Sequence, residues 1–250
     1  MPAADTDALL EVKGLGKRFG GFVALEGIDL TIAKGERLGL IGPNGSGKST
    51  LVNCLCGTLH NETGTVAFAG KPLNGLIAHE RTRLGLARSF QLPKPFHSLN
   101  LIDNIRIPLL YTVNARHGQH HLSGAAIGER CEELLTHVNL ADKARRRPRD
   151  LTQVEMRKLE LARAVATQPT LLFADEAMAG LSHSEIEEIL AVLMRLNDEG
   201  ITIVLIEHIM SAVMSFSTRL VVLVAGHKIA DGLPQEAIRN PEVEKAYLGE

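Results

Sequence analysis

The chain has 250 residues, 45% hydrophobic and 22% charged, the make-up of an ordinary globular protein of one domain or two tightly joined subdomains. Its 27 Lys and Arg against 29 Asp and Glu leave a formal net charge of -2, which removes any general electrostatic argument for nucleic-acid binding. The longest apolar runs, Ile201–Ile206 and Leu220–Ala225, are strand-sized and exclude a membrane-spanning helix.

Met1–Leu10 has no basic start ahead of an apolar run, so it does not read as a signal peptide. Ile28, Leu30 and Ile32 alternate with Asp29 and Thr31, the pattern of a half-buried strand, and Val66 and Phe68 repeat it after the turn residues Thr63 and Gly64. An antiparallel set of strands therefore brackets Arg37–Ile41, a buried strand, and Lys48–Leu59, a helix. Cys54 and Cys56 pack on that helix. With Cys131 they form no metal-ligand spacing, and sparse cysteines of this kind fit a reducing, cytoplasmic compartment.

From about Leu92 to Gln168 strand signals fade. Pro93, Pro95 and Pro108 punctuate the start. His117–Ser123 reads as a polar loop, with His120 and His121 solvated rather than metal ligands. Ser123 caps a helix whose apolar face is Ile127, Cys131, Leu134, Leu135 and Val138. Arg145–Arg147 with Arg149 reads as a solvated face. Alternation then resumes. Thr170–Ala174 is a buried strand, and Ser182 with Glu185 forms a capping box before Ile186, Ile189, Leu190 and Leu193. Gly200 ends that helix, Ile201–Ile206 is the next strand, and Arg219–Asp231 is a hairpin turning at Ala225-Gly226. Strand–helix alternation of this kind builds a parallel sheet with helices on both faces.

The run Gly42-Pro43-Asn44-Gly45-Ser46-Gly47-Lys48-Ser49-Thr50 fits G-x-x-x-x-G-K-[ST] between a strand and a helix. Glycines let the backbone wrap phosphate oxygens, and the amides at the helix start point at the anion. Lys48 reaches the β- and γ-phosphates, and the Ser49 hydroxyl suits magnesium. The expected ligand is ATP with Mg2+. Leu171–Glu176 is an apolar strand ending in two acids, which assigns Asp175 to the magnesium site and Glu176 to orienting and deprotonating water. Ile201–Glu207 ends likewise, with His208 just beyond. Ligands gather at the carboxyl ends of parallel strands, so Asp175, Glu176 and His208 are placed to converge on the γ-phosphate.

These residues resemble the ATP-binding subunit of ABC transporters over the whole chain. The resemblance implies a RecA-like P-loop core with an antiparallel β subdomain and an inserted α-helical subdomain. In those terms residues 1–91 and 169–235 form the core, 92–168 the helical subdomain and 236–250 a tail. Phe19 in Lys17-Arg-Phe-Gly-Gly21 sits where the family stacks adenine. Gln91 in Ala87-Arg-Ser-Phe-Gln91 matches the glutamine that links the magnesium site to the helical subdomain. Thr152–Arg163 aligns with the signature helix, and His208 matches the switch histidine.

Leu159–Ala164, Met178–Leu181, Ile206–Ile209 and Asn240–Gly249 look like the branched-chain amino acid transporter type, which also serves urea, amides and aromatic acids. That likeness implies a second, different ATP-binding subunit, transmembrane permeases, an extracytoplasmic solute-binding protein and a place on the cytoplasmic face of the membrane. Phe96 and Leu99 are expected to line the permease groove.

The signature departs from the usual Leu-Ser-Gly-Gly-Gln. It reads Leu151-Thr152-Gln153-Val154-Glu155. Thr152 keeps a hydroxyl and Val154 a backbone amide, but Val154 adds a branched side chain and Glu155 a negative charge. Two unit charges about 4 Å apart repel by roughly 4 kcal/mol at an effective dielectric of 20. Thr152 and Glu155 equally satisfy the capping box T-x-x-E, with Val154 starting an apolar stripe through Leu161 and Val165. Ala177 stands where proline is usual and Ser182 where an aspartate usually crosses to the partner. The expectation is a composite site weaker than its sister. The rival readings are a non-transport ABC ATPase, a small P-loop kinase and a catalytically silent nucleotide-binding regulator.

Overall fold

In the computed structural model, residues 8–116 and 121–248 are described. The first seven residues and the His117–His120 part of the expected loop, including His120, lie outside them. β1 (Ala8–Phe19) and β2 (Phe22–Ala33) form a ribbon, β3 (Arg37–Ile41) runs into the phosphate loop and α1 (Lys48–Cys56) leaves it. β4 (Thr63–Phe68), the short β5 (Lys71–Pro72), α2 (Ala78–Leu84) and β6 (Leu86–Ser89) follow. The next elements are all helical: α3 (Leu101–Pro108), a π-helical turn (Leu109–Val113), α4 (Gly124–His137) and α5 (Gln153–Val165), with two 3-10 turns between α4 and α5. The chain then returns to β7 (Leu171–Asp175), α6 (His183–Asp198), β8 (Thr202–Ile206), α7 (Met210–Phe216), β9 (Arg219–Val224), β10 (His227–Gly232), α8 (Pro234–Ala237) and α9 (Pro241–Leu248).

Two sheets result. One has the order β2-β1-β4-β5 and is antiparallel. The other has the order β10-β9-β3-β8-β7-β6, parallel except for the edge strand β10. Both faces of the parallel sheet are covered, because side chains alternate between faces. Leu38 and Leu40 of β3, Leu171 and Phe173 of β7, and Val204 and Ile206 of β8 pack with α1 and the antiparallel sheet. Leu172, Ala174, Ile203 and Leu205 face the helices instead. The carboxyl ends of β3, β7 and β8 are therefore held side by side by two cores, and the phosphate loop and both acids emerge there.

Local chemistry sets the helix ends. Ser123 accepts from the Ala126 N–H, as the spacing predicts, and Val138 is the buried residue that closes α4. The expected helix Lys48–Leu59 stops earlier, at Cys56, because Gly57 adopts φ 77° and its N–H closes on the Asn53 carbonyl. The α1 carbonyls left open by that stop are met by Arg81, which is buried and donates to Cys54 O at 2.7 Å and Leu55 O at 2.8 Å. Pro108 lies in the last turn of α3 rather than between elements, and the π-helical turn that follows accommodates it. The hairpin turns at Ala225 and Gly226, both at positive φ. Arg145, Arg146, Arg147 and Arg149 are exposed, as expected of a solvated face. All three cysteines are buried, and burial pushes the Cys56 thiol up to about 12.

Candidate functional site

The phosphate loop is built for close approach. Gly42 has φ 155°, and a Cβ there would stand 2.1 Å from the Leu223 carbonyl oxygen. Gly47 has φ 102° and lies against the Ala24 carbonyl, so both positions require glycine. Gly47 is also the N-cap of α1 and offers no side-chain cap, which leaves the first helical amides directed at a ligand. The loop is strapped from outside: Gly226 N–H donates to Ser46 O at 3.0 Å, and Glu26 N–H to Gly226 O at 3.0 Å.

Lys48 folds back into the loop, donating to Gly42 O at 2.7 Å and Pro43 O at 3.1 Å. Burial pulls its ammonium below the usual lysine range, while Glu176 and Asp175 work in the opposite direction. Phe19, Phe22, Ala24, residues 44–50 and Glu176 line one cavity of about 260 Å³. Phe19 and Phe22 are 47% and 63% exposed, large for aromatic rings, and the Lys17 ammonium lies 5.4 Å from the centre of the Phe19 ring. Thus Asn44, Gly45, Ser46, Gly47, Lys48, Ser49, Thr50, Phe19 and Glu176 come together, while Gly42 and Pro43 serve through the carbonyls that hold Lys48.

Asp175 ends β7 buried. Its Oδ2 accepts from Arg88 Nη2 at 2.5 Å and Nε at 3.1 Å, and Arg88 Nη1 donates to Asn53 Oδ1 at 2.6 Å. Among the described residues no hydrogen bond uses Asp175 Oδ1. That free carboxylate oxygen, with the Ser49 hydroxyl, is the hard oxygen chemistry magnesium takes. Among the described residues no trio of acids, histidines or cysteines could hold a metal by itself. The donors present therefore fit an ion shared with a triphosphate.

Glu176 sits at φ 46°, the left-handed region that non-glycine residues enter at a cost. Its N–H bonds to Ile206 O at 2.9 Å, fixing the end of β7 against β8. Its carboxylate accepts from the Gln91 side-chain amide. His208 lies at the neighbouring strand end, exposed, with Nδ1 3.8 Å from Glu207 Oε2. Glu176 and His208 share the edge the sequence assigns them, without a hydrogen bond between them.

Thr152–Glu155 line none of that cavity. Glu155 Oε2 accepts from Thr152 N–H at 3.0 Å, and Thr152 Oγ1 accepts from Glu155 N–H at 3.4 Å, the expected capping box. Glu155 also pairs with Lys143. Its charge is therefore directed into this chain rather than left free, and a repulsion argued from an unpaired carboxylate is too large. Val154 is 8% exposed and packs into the helical core, so its branched side chain turns inward. The apolar-stripe reading holds for it, because the second helical residue turns inward here. Gln153 is exposed and donates to Ala179 O at 3.3 Å. Ser182 is the cap expected of it: its N–H and hydroxyl both donate to Glu185 Oε2, at 2.8 and 2.7 Å.

Sequence reasoning missed Phe22, Arg88, Glu207 and Arg157. Arg88 stands as a lone charge in the apolar strand Leu86–Ser89, and Arg157 as a charge on the buried side of α5. Those are the signals that find them. Glu207 closes the apolar strand 202–206, is buried, and accepts from Met178 N–H at 2.9 Å. Burial pushes its carboxyl above the usual range, against the bond from Met178 and the nearby His208.

The ABC transporter family profile matches residues 25–179. The chain is 36% identical over 250 residues to the high-affinity branched-chain amino acid transport ATP-binding protein BraF of Pseudomonas aeruginosa, covering 97% of this chain and 98% of that protein. The ADP conformation of an ABC transporter's ATP-binding cassette superposes with a TM-score of 0.86 at 30% identity, over 97% of this chain and 99% of that one. A dimeric cassette bound to ADP and Pi does so with a TM-score of 0.78 at 26% identity, over 90% and 98%. With a phosphate loop, paired acids and helical segment in this arrangement, the chain belongs to the ABC transporter family of ATP-binding cassettes.

Proposed function

We propose that this chain is the ATP-hydrolysing subunit of an importer of branched-chain amino acids or a related small solute. The reading rests chiefly on how the nucleotide machinery is divided. One cavity gathers the phosphate loop, two aromatic rings and Glu176, while Thr152–Glu155 stand outside it, with Thr152 and Gln153 exposed to a second copy or a sister subunit. Phe19 stacks adenine, Lys48 and the α1 amides bind the phosphates, and Thr152–Glu155 complete the partner's site. Ser49, Asp175 and Gln91 would hold magnesium, which would supply charge neutralisation to the phosphates when bound. Glu176 orients and deprotonates the attacking water, and His208 contacts the γ-phosphate from the neighbouring strand end.

Residues 92–168 act as the helical subdomain, 1–91 and 169–235 as the core and 236–250 as the tail. A largely apolar hollow of about 300 Å³ beside Phe90, Phe96, Tyr111 and Arg163 receives a permease segment. Asn104 is buried and ties Phe96 N and O to α3 at 2.8 and 3.1 Å, which sets that aromatic at the rim. Among the described residues no helix is long and apolar enough to cross a membrane. On this reading the chain attaches to the cytoplasmic face through the permeases. A solute-binding protein on the other side completes the assembly.

The test is reconstitution of the complex that co-purifies with this chain. Labelled leucine, isoleucine or valine enters vesicles that enclose ATP, and Lys48→Ala abolishes the uptake. A chain that purifies from membranes with no permease, or a complex whose uptake ignores ATP, contradicts the transport reading.

A further inference from the structure

The first turns of α5 grip two segments of the active site from behind. Arg157 is only 7% exposed. One arm of its guanidinium, Nη1, donates to the Gln91 carbonyl, and the other, Nη2, to the Ala179 carbonyl at 3.3 Å. Gln153, four residues earlier and so on the same helix face, donates to that same Ala179 carbonyl. The Ala179 loop is pinned from its other side by Glu207, through Met178 N–H. The loop starts at Glu176, and the side chain of Gln91 bonds to the Glu176 carboxylate. Arg157 thus stands two links from the water-activating acid by one route and three residues from it by the other.

A buried guanidinium is costly unless its donors are used, and a fork that spans two carbonyls fixes both more firmly than an ammonium could. Burial lowers the Arg157 pKa, while the facing acids Glu207, Glu160 and Glu176 raise it. The cation therefore sits in a pocket of negative charge shared with the catalytic acid. No bond of Arg157 reaches the nucleotide cavity itself.

We propose that Arg157 is a positioning residue for ATP hydrolysis. It couples the α5 N-terminus, with Thr152 at its cap, to the Gln91 carbonyl and the loop after Glu176, and so sets the Gln91–Glu176 contact. This rests on the ATPase reading above. On that reading Thr152 faces the partner's nucleotide and Gln91 faces this chain's own, so Arg157 joins the two composite sites within one chain. A shift of α5 as a partner's nucleotide binds is passed to Gln91 through a single side chain.

The transporter complex purified through a tag on this chain is assayed for ATP turnover in four full-length forms besides wild type: Arg157→Met, Arg157→Lys, Gln91→Ala and the double variant Arg157→Met/Gln91→Ala. Arg157→Met is expected to lower kcat about 10-fold, no more than the loss of the Gln91–Glu176 contact that it sets. The KM for ATP is expected to stay within about threefold, because no ground-state phosphate contact is lost. Arg157→Lys recovers part of the loss, its single ammonium reaching one carbonyl of the two. In the Gln91→Ala background the Arg157→Met change costs no more than about threefold further, since the two act as a unit.

Losses that simply multiply, or an Arg157→Met complex within about threefold of wild-type kcat, would overturn the proposal. If Arg157→Met does not assemble, Arg157→Lys decides, and wild-type kcat in that variant rejects the coupling. A wild-type complex that does not hydrolyse ATP defeats the ATPase reading instead, and the inference falls with it.

Discussion

The side-chain amide of Gln91 donates a hydrogen bond to the Glu176 carboxylate, joining the segment that leads into the helices to the acid at the end of β7. Gln91 is exposed, and its other hydrogen bond is made through its backbone carbonyl to Arg157. Gln91→Ala removes the bond to Glu176 without burying an unsatisfied group. The expected outcome is a kcat lowered about 10-fold with ATP affinity kept, read from phosphate release and from nucleotide titration. A variant that loses ATP affinity but keeps kcat would place Gln91 in ground-state binding.

The exposed rings of Phe19 and Phe22 flank the cavity that ends at the phosphate loop. Phe19→Ala is expected to weaken ATP binding by about 1–3 kcal/mol, the range of base–aromatic stacking. Inorganic triphosphate should bind the variant as it binds the wild type, because the loop is untouched. Calorimetric titration of the two ligands separates the base contribution from the phosphate contribution.

Gly42 has no room for a side chain, with the Leu223 carbonyl 2.1 Å from where a Cβ would lie. That carbonyl belongs to β9 and cannot move alone. Gly42→Ala is therefore expected to lower stability by about 2 kcal/mol or more and to abolish ATP binding. Thermal melts with and without nucleotide check both, and the ligand-induced rise in melting temperature should vanish.

Glu155 tests the signature segment. Burial raises its pKa, but the hydrogen bonds from Lys143 and Thr152 outweigh this and hold the carboxyl below the usual range. A lowered folded-state pKa gives stability that is present above the unfolded value of about 4.5 and lost as pH falls through the folded value. Glu155→Gln keeps the capping geometry but not the charge. It should flatten the acid limb of the stability curve while costing less than about 1 kcal/mol at pH 7, since the pair is partly exposed. In the assembled transporter Glu155→Gln alone is expected to raise ATP turnover modestly, because Lys143 already offsets part of the charge. An unchanged or lower rate would assign Glu155 to capping alone.

Strong periodicity and fixed local chemistry were readable from residues alone. The alternation in Ile28–Ile32, the Thr152 and Ser182 caps and the Gly42–Thr50 loop each rest on a few adjacent residues whose physics is local. The strand β6 was not readable, because Arg88 interrupts its apolar run and its reason, the ion pair with Asp175, lies far along the chain. The same holds for Arg157 and Arg81, whose partners are backbone carbonyls with no sequence signature of their own. Val154 shows the converse. In the sequence it stands both at a signature position and at the start of an apolar stripe, and the helix phase turns it into the core.

On the proposed reading, Glu176 activates water against ATP bound in this chain's own loop. Glu176→Gln retains an oxygen to accept the Gln91 amide yet cannot take a proton, so it isolates the chemical step. In the purified transporter complex, the variant is expected to bind ATP within about threefold of wild type while phosphate release falls at least about 100-fold and ATP-bound closed dimers accumulate. Phosphate release at the wild-type rate from Glu176→Gln would show that another group takes the proton from water.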